Sequence, residues 1–264
     1  MGKAARLKRE RRVAPPPVGK RPLAERARLV WGASGALIVI VGIVVGVLLA
    51  TRATSKAPAA AVSSAADRNA PAALVKAADQ VGFQPTTEPG VGQLEDQPAS
   101  AAHPPSNPNL LAVGAKAPAF TLKTPEGKSV RLTSLRGRTV LLEFFATWCP
   151  HCNAEAPHLH DLYASLSKRW YAFVAVNADG EDAASVFAYH RYFGLQFPAL
   201  PDPSSNPGSF HRSGSAGRVS TRYRVRSYPT FYVLDPTGRI AWRSDGEQPD
   251  ALLRLELARA AARG

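Results

Sequence analysis

A chain of 264 residues holds one full domain with accessory segments and is too short for two large ones. Its formal charge is +13, but residues 1–28 alone carry ten Lys/Arg against Glu10 and Glu25, directly ahead of an uncharged apolar run; that placement reads as a topology signal and weighs against nucleic-acid binding. Only two cysteines occur, Cys149 and Cys152, which excludes a framework of disulfides closing long loops and leaves chemistry as the reason for the pair.

Residues 29–50 contain no charged side chain. At about 1.5 Å per residue this run extends roughly 33 Å as a helix, enough to cross a bilayer core of about 30 Å. Positive-inside reasoning puts the basic tail, residues 1–28, in the cytoplasm and everything after Ala50 outside. A cleaved signal peptide is the competing reading, with Thr51-Arg52-Ala53 near the cleavage point. The apolar core of such a leader is typically about 7–15 residues, so the longer run favours a retained single-pass anchor in the cell membrane. Residues 51–110 are rich in Ala, Pro, Ser and Gly, the composition of an extracytoplasmic linker. Within them Leu74, Val75, Ala78 and Val81 stand near helical spacing, and Gly82 ends that short helix.

From residue 111 short apolar runs alternate with helical patterns. Residues 120–122 and 129–132 flank Pro125-Glu126-Gly127-Lys128 as a small hairpin, and residues 139–145 read as a buried strand interrupted by Glu143. A helix follows over 149–168, then a strand over 171–176 and a helix over 182–193. Residues 230–234, the turn 235–238 and residues 239–243 form a second hairpin, and a closing helix runs from Pro249 to about residue 263. The order predicts a 111–264 domain of the α/β class, with a central mixed sheet flanked by helices behind an N-terminal hairpin.

The chemistry concentrates at Cys149-Pro150-His151-Cys152, where an apolar strand runs into a helix start. Unpaired N–H groups there favour negative charge, so a thiolate at Cys149 is stabilised. Pro150 fits the first turn because its missing N–H would have no intrahelical partner. Cys152, about one turn on, can return to Cys149 and resolve a mixed disulfide. His151 adds a positive charge that lowers the thiol pKa further. Trp148, beside Cys149, rims the site. The alternative is half of a zinc site with His151, His158 and His160; but His158 and His160 lie two apart on a helix and face different ways, so they cannot both join the cysteines in a tetrahedral set.

The segment from Glu143 through Trp148, Cys149, Cys152 and Glu155 to Pro157 resembles the active-site segment of thioredoxin-like proteins of the membrane-anchored TlpA/ResA type. Pro157 falls where that family kinks its active-site helix, and Tyr228-Pro229-Thr230 resembles its cis-proline segment facing the cysteines. Residues 113–122 and 132–137 resemble its N-terminal hairpin. The resemblance covers residues 111–264, except that 195–221 do not match and look like an insertion. It implies a thioredoxin-like fold and thiol–disulfide exchange without a cofactor. Glu155 would act as proton acceptor or modulator for Cys152, and Glu143 as the buried acid that moves its proton. Pro229 would be cis, exposing the Tyr228 backbone to pair with a substrate strand, with Thr230 beside it as a further substrate-binding residue. Each has a bland alternative: Glu155 an exposed helix residue, Glu143 a side chain escaping at a wet sheet edge, Pro229 an ordinary turn proline.

The direction of electron flow is read from two opposed signals. The Pro-His dipeptide resembles DsbA and points to an oxidant of secreted proteins. The scaffold, the anchor and Glu155 resemble specific reductants, for instance of apocytochrome c thiols, and favour a reductant or exchanger. Partners are then protein thiols or disulfides, plus a membrane or extracytoplasmic thiol donor. A copper carrier using both cysteines is the alternative from another class; Met1 is the only methionine, so no thioether ligand supports it. A peroxiredoxin is disfavoured because the usual Pro-x-x-x-Thr-x-x-Cys setting is missing around Cys149.

Overall fold

A strand rich in β-branched and aromatic residues, flanked on both edges, buries every side chain, and Thr139–Phe145 does so at all seven positions. The structure, a computed structural model, describes residue 67, residues 70–93, residue 98, residues 108–204 and residues 217–264. In chain order these form α1 (Ala72–Val81), β1 (Thr121–Lys123), β2 (Ser129–Arg131), a 3₁₀ turn (Leu132–Leu135), β3 (Thr139–Phe145), α2 (Pro150–Ser165), β4 (Tyr171–Asn177), α3 (Ala183–Tyr192), β5 (Ala199–Pro201), α4 (Arg218–Arg222), β6 (Thr230–Leu234), β7 (Ile240–Asp245) and α5 (Asp250–Ala261). The tail and anchor read at 1–28 and 29–50 lie outside the described residues. Among the described residues no helix is long and apolar enough to cross a membrane.

The sheet order is β5-β4-β3-β6-β7. Strand β3 pairs in parallel with β4 along its whole length, from Thr139 opposite Tyr171 to Phe145 opposite Asn177. On its other side β6 runs antiparallel, with Leu142 opposite Tyr232 and Glu143 opposite Phe231. Side chains alternate across β3, and the two faces meet different layers. Leu141 and Phe145 join Leu159, Leu162, Val186, Tyr189, Leu253 and both cysteines, under α2, α3 and α5. Val140, Leu142 and Phe144 join Phe120, Leu132, Val219 and Tyr223, beneath the N-terminal hairpin and α4. Glu143 therefore emerges on the cysteine face. This is the thioredoxin-like arrangement that the active-site segment implies.

Local sequence explains the helix starts. Pro150 opens α2, which runs on with Pro157 inside it. Asp182 caps α3 by accepting the Ser185 N–H at 2.8 Å, and Arg191 complements the dipole at its far end. Pro249 precedes α5, which carries Asp250 in its first turn and Arg259 in its last.

Two features differ from the sequence reading. Residues 195–221 are not simply an insertion: Leu195, Phe197, Ala199 and Leu200 are core residues, and β5 is the parallel edge strand beside β4. A three-residue strand that follows Pro198 and ends on Pro201 shows no alternation to detect. Inside the stretch read as linker, the short helix is present as α1 and ends as expected on Gly82, whose φ of 58° suits a residue without Cβ; what differs is that it packs on α3 through Ala78. Phe83 lies edge-on to Tyr189, Tyr192 and Phe193 at 5.5, 5.3 and 6.0 Å. Arg191 adds ion pairs to Asp67 at 3.3 Å and Asp79 at 2.6 Å.

Candidate active site

Strand β3 delivers Ala146, Thr147 and Trp148 to the sheet's end, and Cys149, with extended backbone (φ −75°, ψ 119°), is the cap residue of α2. Both cysteines are thiols. The Cys149 thiol is lowered to about 7, chiefly by a hydrogen bond from the Cys152 side chain; burial opposes, and the Cys152 N–H, the His151 charge and the His151 N–H add to the lowering. Cys152 is wholly buried and pushed well above the usual thiol range, by burial first, then by its hydrogen bond to Cys149 and the negative fields of Cys149 and Glu143. The two sulfurs are thus separated in role: one is poised as thiolate, the other is stored as thiol.

Tyr228–Pro229 is a cis peptide, and the Tyr228 carbonyl faces Cys149 Sγ at 3.6 Å. Trp148 is 36% exposed, donates its indole N–H to Asp179 at 2.8 Å and lies edge-on to Tyr228 at 6.1 Å. Thr230 departs from expectation. Its side chain is wholly buried and its hydroxyl donates to the Ser227 carbonyl at 2.7 Å, so it closes the 227–230 turn and offers no side-chain surface to a substrate.

Both acids, Glu143 and Glu155, are buried. Glu143 is 4% exposed, its Oε1 lacks a hydrogen-bond partner among the described residues, and it is raised to about 8 by burial and then by the charge of Cys149. The wet-edge alternative fails because β3 is the central strand. Glu155 is wholly buried, and its Oε2 accepts the Gln248 N–H at 3.4 Å. An exposed helix residue is therefore excluded. Tyr189, raised well above the usual phenol range by burial and then by Glu143, donates its hydroxyl to the Cys152 carbonyl at 2.9 Å.

Several supporting residues carry no local signal in the sequence. Asn153 Nδ2 donates to the carbonyls of Cys149 at 2.8 Å and Thr147 at 3.2 Å, locking the approach to α2. Glu181, in the loop after β4, accepts the Thr147 N–H at 2.8 Å, the Thr147 hydroxyl, and Asn177 Nδ2 at 2.5 Å. Glu247 contacts His151 Nδ1. The run Asp179-Gly180-Glu181-Asp182, directly after a strand end, is the one pattern that could have flagged part of this shell. Among the described residues no three His, Cys, Asp or Glu are placed to hold a metal ion.

Residues 113–243, which include Cys149, Cys152 and Pro229, match the AhpC/TSA family model. The thiol-disulfide oxidoreductase ResA of Geobacillus thermodenitrificans is 35% identical over 130 residues, 49% of this chain and 67% of that protein. ResA of Bacillus thuringiensis is 30% identical over 138 residues, 52% of this chain and 72% of that protein. Among solved structures, a thioredoxin-family thiol:disulfide interchange protein from Chlorobium tepidum aligns with a TM-score of 0.45 and 25% identity, over 57% of this chain and 98% of that one.

Proposed function

The chain belongs to the thioredoxin-like thiol–disulfide oxidoreductases of the AhpC/TSA family, and from that premise we propose that it is a membrane-tethered reductant or exchanger of disulfides in extracytoplasmic proteins. The observation that carries this reading is the pairing of a lowered Cys149 thiol at the start of α2 with a raised, wholly buried Cys152 beneath it.

The steps follow from that asymmetry. The Cys149 thiolate attacks a substrate disulfide; the substrate S–S bond breaks, one substrate sulfur leaves as thiolate and takes a proton, and a mixed disulfide forms. Cys152 then gives its proton to a neighbouring carboxylate, for which Glu155 and, once ionised above about pH 8, Glu143 are the buried candidates. Its thiolate attacks Cys149 Sγ and expels the second substrate sulfur. Two electrons have passed to the substrate, and the Cys149–Cys152 disulfide awaits an external dithiol donor. Trp148 and the Tyr228 carbonyl flank the attacking sulfur and form the surface a substrate strand meets.

The resemblance to ResA-type proteins supports the reducing direction and makes apocytochrome c thiols one substrate class. The uncharged run at 29–50 behind ten basic residues supports a cytoplasmic N-terminus with the catalytic domain outside.

Trapping tests the roles of the two sulfurs. Cys152→Ser is expected to accumulate mixed disulfides through Cys149, identifiable by mass spectrometry, while Cys149→Ser accumulates none. The reverse pattern would overturn the assignment of the nucleophile.

A further inference from the structure

The turn between β7 and α5 takes no part in the exchange steps, yet three consecutive residues of it reach the active site. The Gly246 N–H donates to the Pro229 carbonyl at 2.8 Å. The Gln248 N–H meets Glu155 at 3.4 Å. Between them Glu247 turns its carboxylate onto His151, Oε1 against Nδ1. The other carboxylate oxygen accepts the Gly92 N–H at 3.0 Å. Glu247 is thereby fixed from both sides, by the active-site helix and by the chain segment that follows α1.

The burial of the two partners is unequal: the Glu247 side chain is 5% exposed and that of His151 is 49% exposed. A half-exposed imidazole on its own samples several rotamers and spends part of its time in water. A buried carboxylate with one oxygen already occupied offers it a single docking point. A carboxylate only accepts, so Nδ1 must carry the proton and the ring is held in one tautomer and one orientation. That orientation keeps the His151 charge within reach of Cys149, where it is one of the influences lowering the thiol.

We propose that Glu247 is a positioning residue for thiol–disulfide exchange, holding the His151 ring beside Cys149 and so setting how much thiolate the active site presents. This rests on the reading of Cys149 as the exchanging nucleophile. Its sign follows from the geometry. Releasing His151 removes a cation from the thiolate's surroundings, so the reduced form loses stability and the couple becomes more reducing.

The test is the pH dependence of iodoacetamide alkylation at Cys149 in the reduced full-length protein, read by peptide mass. Glu247→Gln is expected to raise the midpoint by up to about one pH unit, close to a tenfold loss of thiolate below the midpoint. His151→Gln should raise it by a similar amount, and the double variant should move no further than either single one. An unchanged midpoint in Glu247→Gln, or the same shift with and without His151, overturns the proposal. Ring-nitrogen chemical shifts of His151 in the wild-type protein test it without a variant: Nδ1 should stay protonated and hydrogen-bonded, and a freely tautomerising ring is the contrary result. The functional reading fails separately, if wild-type protein does not reduce a protein disulfide at all.

Discussion

Glu143 stands where an ionised carboxylate is most costly, in the central strand, on the face that holds both cysteines. Its proton is held to about pH 8 in the fold, against about 4.5 for an ordinary glutamate. Below about pH 4.5 both folded and unfolded chains hold that proton, and the group does not oppose folding. Between there and pH 8 only the unfolded chain releases it, so stability falls as the pH rises through that window. Glu143→Gln should remove this dependence: stability to urea rises by on the order of 3 kcal/mol at pH 7 and changes little at pH 4. An equal change at both pH values would show that Glu143 is ionised in the fold. Above about pH 8, where Glu143 is ionised, the same variant should also slow release of the mixed disulfide, since Cys152 then loses a proton acceptor. Glu143 was legible in the sequence as the one charge in an apolar run. Glu247 was not, because it lies 96 residues from His151 and nothing near it marks the contact.

At the scale of elements, the start of α2 is held by the loop that follows β4. Glu181 gathers the Thr147 backbone and hydroxyl and the Asn177 amide, while Asn153 ties the carbonyls of Thr147 and Cys149 from the other side. Glu181→Ala would leave the buried Thr147 N–H without its acceptor. The expected cost is about 1–3 kcal/mol in urea denaturation, with slower alkylation of Cys149 as its helix start loosens. A loss of stability below about 0.5 kcal/mol would show that the clamp is replaced by water. Strands β3, β4 and β6 could be read from sequence because each is an apolar run bounded by turn residues. Strand β5 and α4 could not: three and five residues are too short to display a period. The docking of α1 was equally hidden, since its apolar face is little more than Leu74, Val75 and Ala78, and it becomes a packing surface only against α3.

For the whole molecule, the fold brings residues from four distant stretches to one end of the sheet. These are Gly92, the 143–155 segment, the 177–181 loop and the 228–248 hairpin with its following turn. Within the sequence the cysteine pair and its cis-proline partner were evident through motif, whereas the carboxylates that orient them depend on contacts only the sheet order creates. The basic tail and apolar run at the N-terminus add the proposal of a tether, which would confine this chemistry to a membrane surface. The claim that unites these scales is that the Cys149–Cys152 pair donates electrons, and its reduction potential tests that most directly. Full-length protein is equilibrated in graded glutathione or dithiothreitol buffers, quenched, and its free thiols at Cys149 and Cys152 counted by mass. The account predicts one two-electron transition lying nearer the thioredoxin value of about −270 mV than the DsbA value of about −120 mV. A transition near −120 mV would contradict it and make the protein an oxidant.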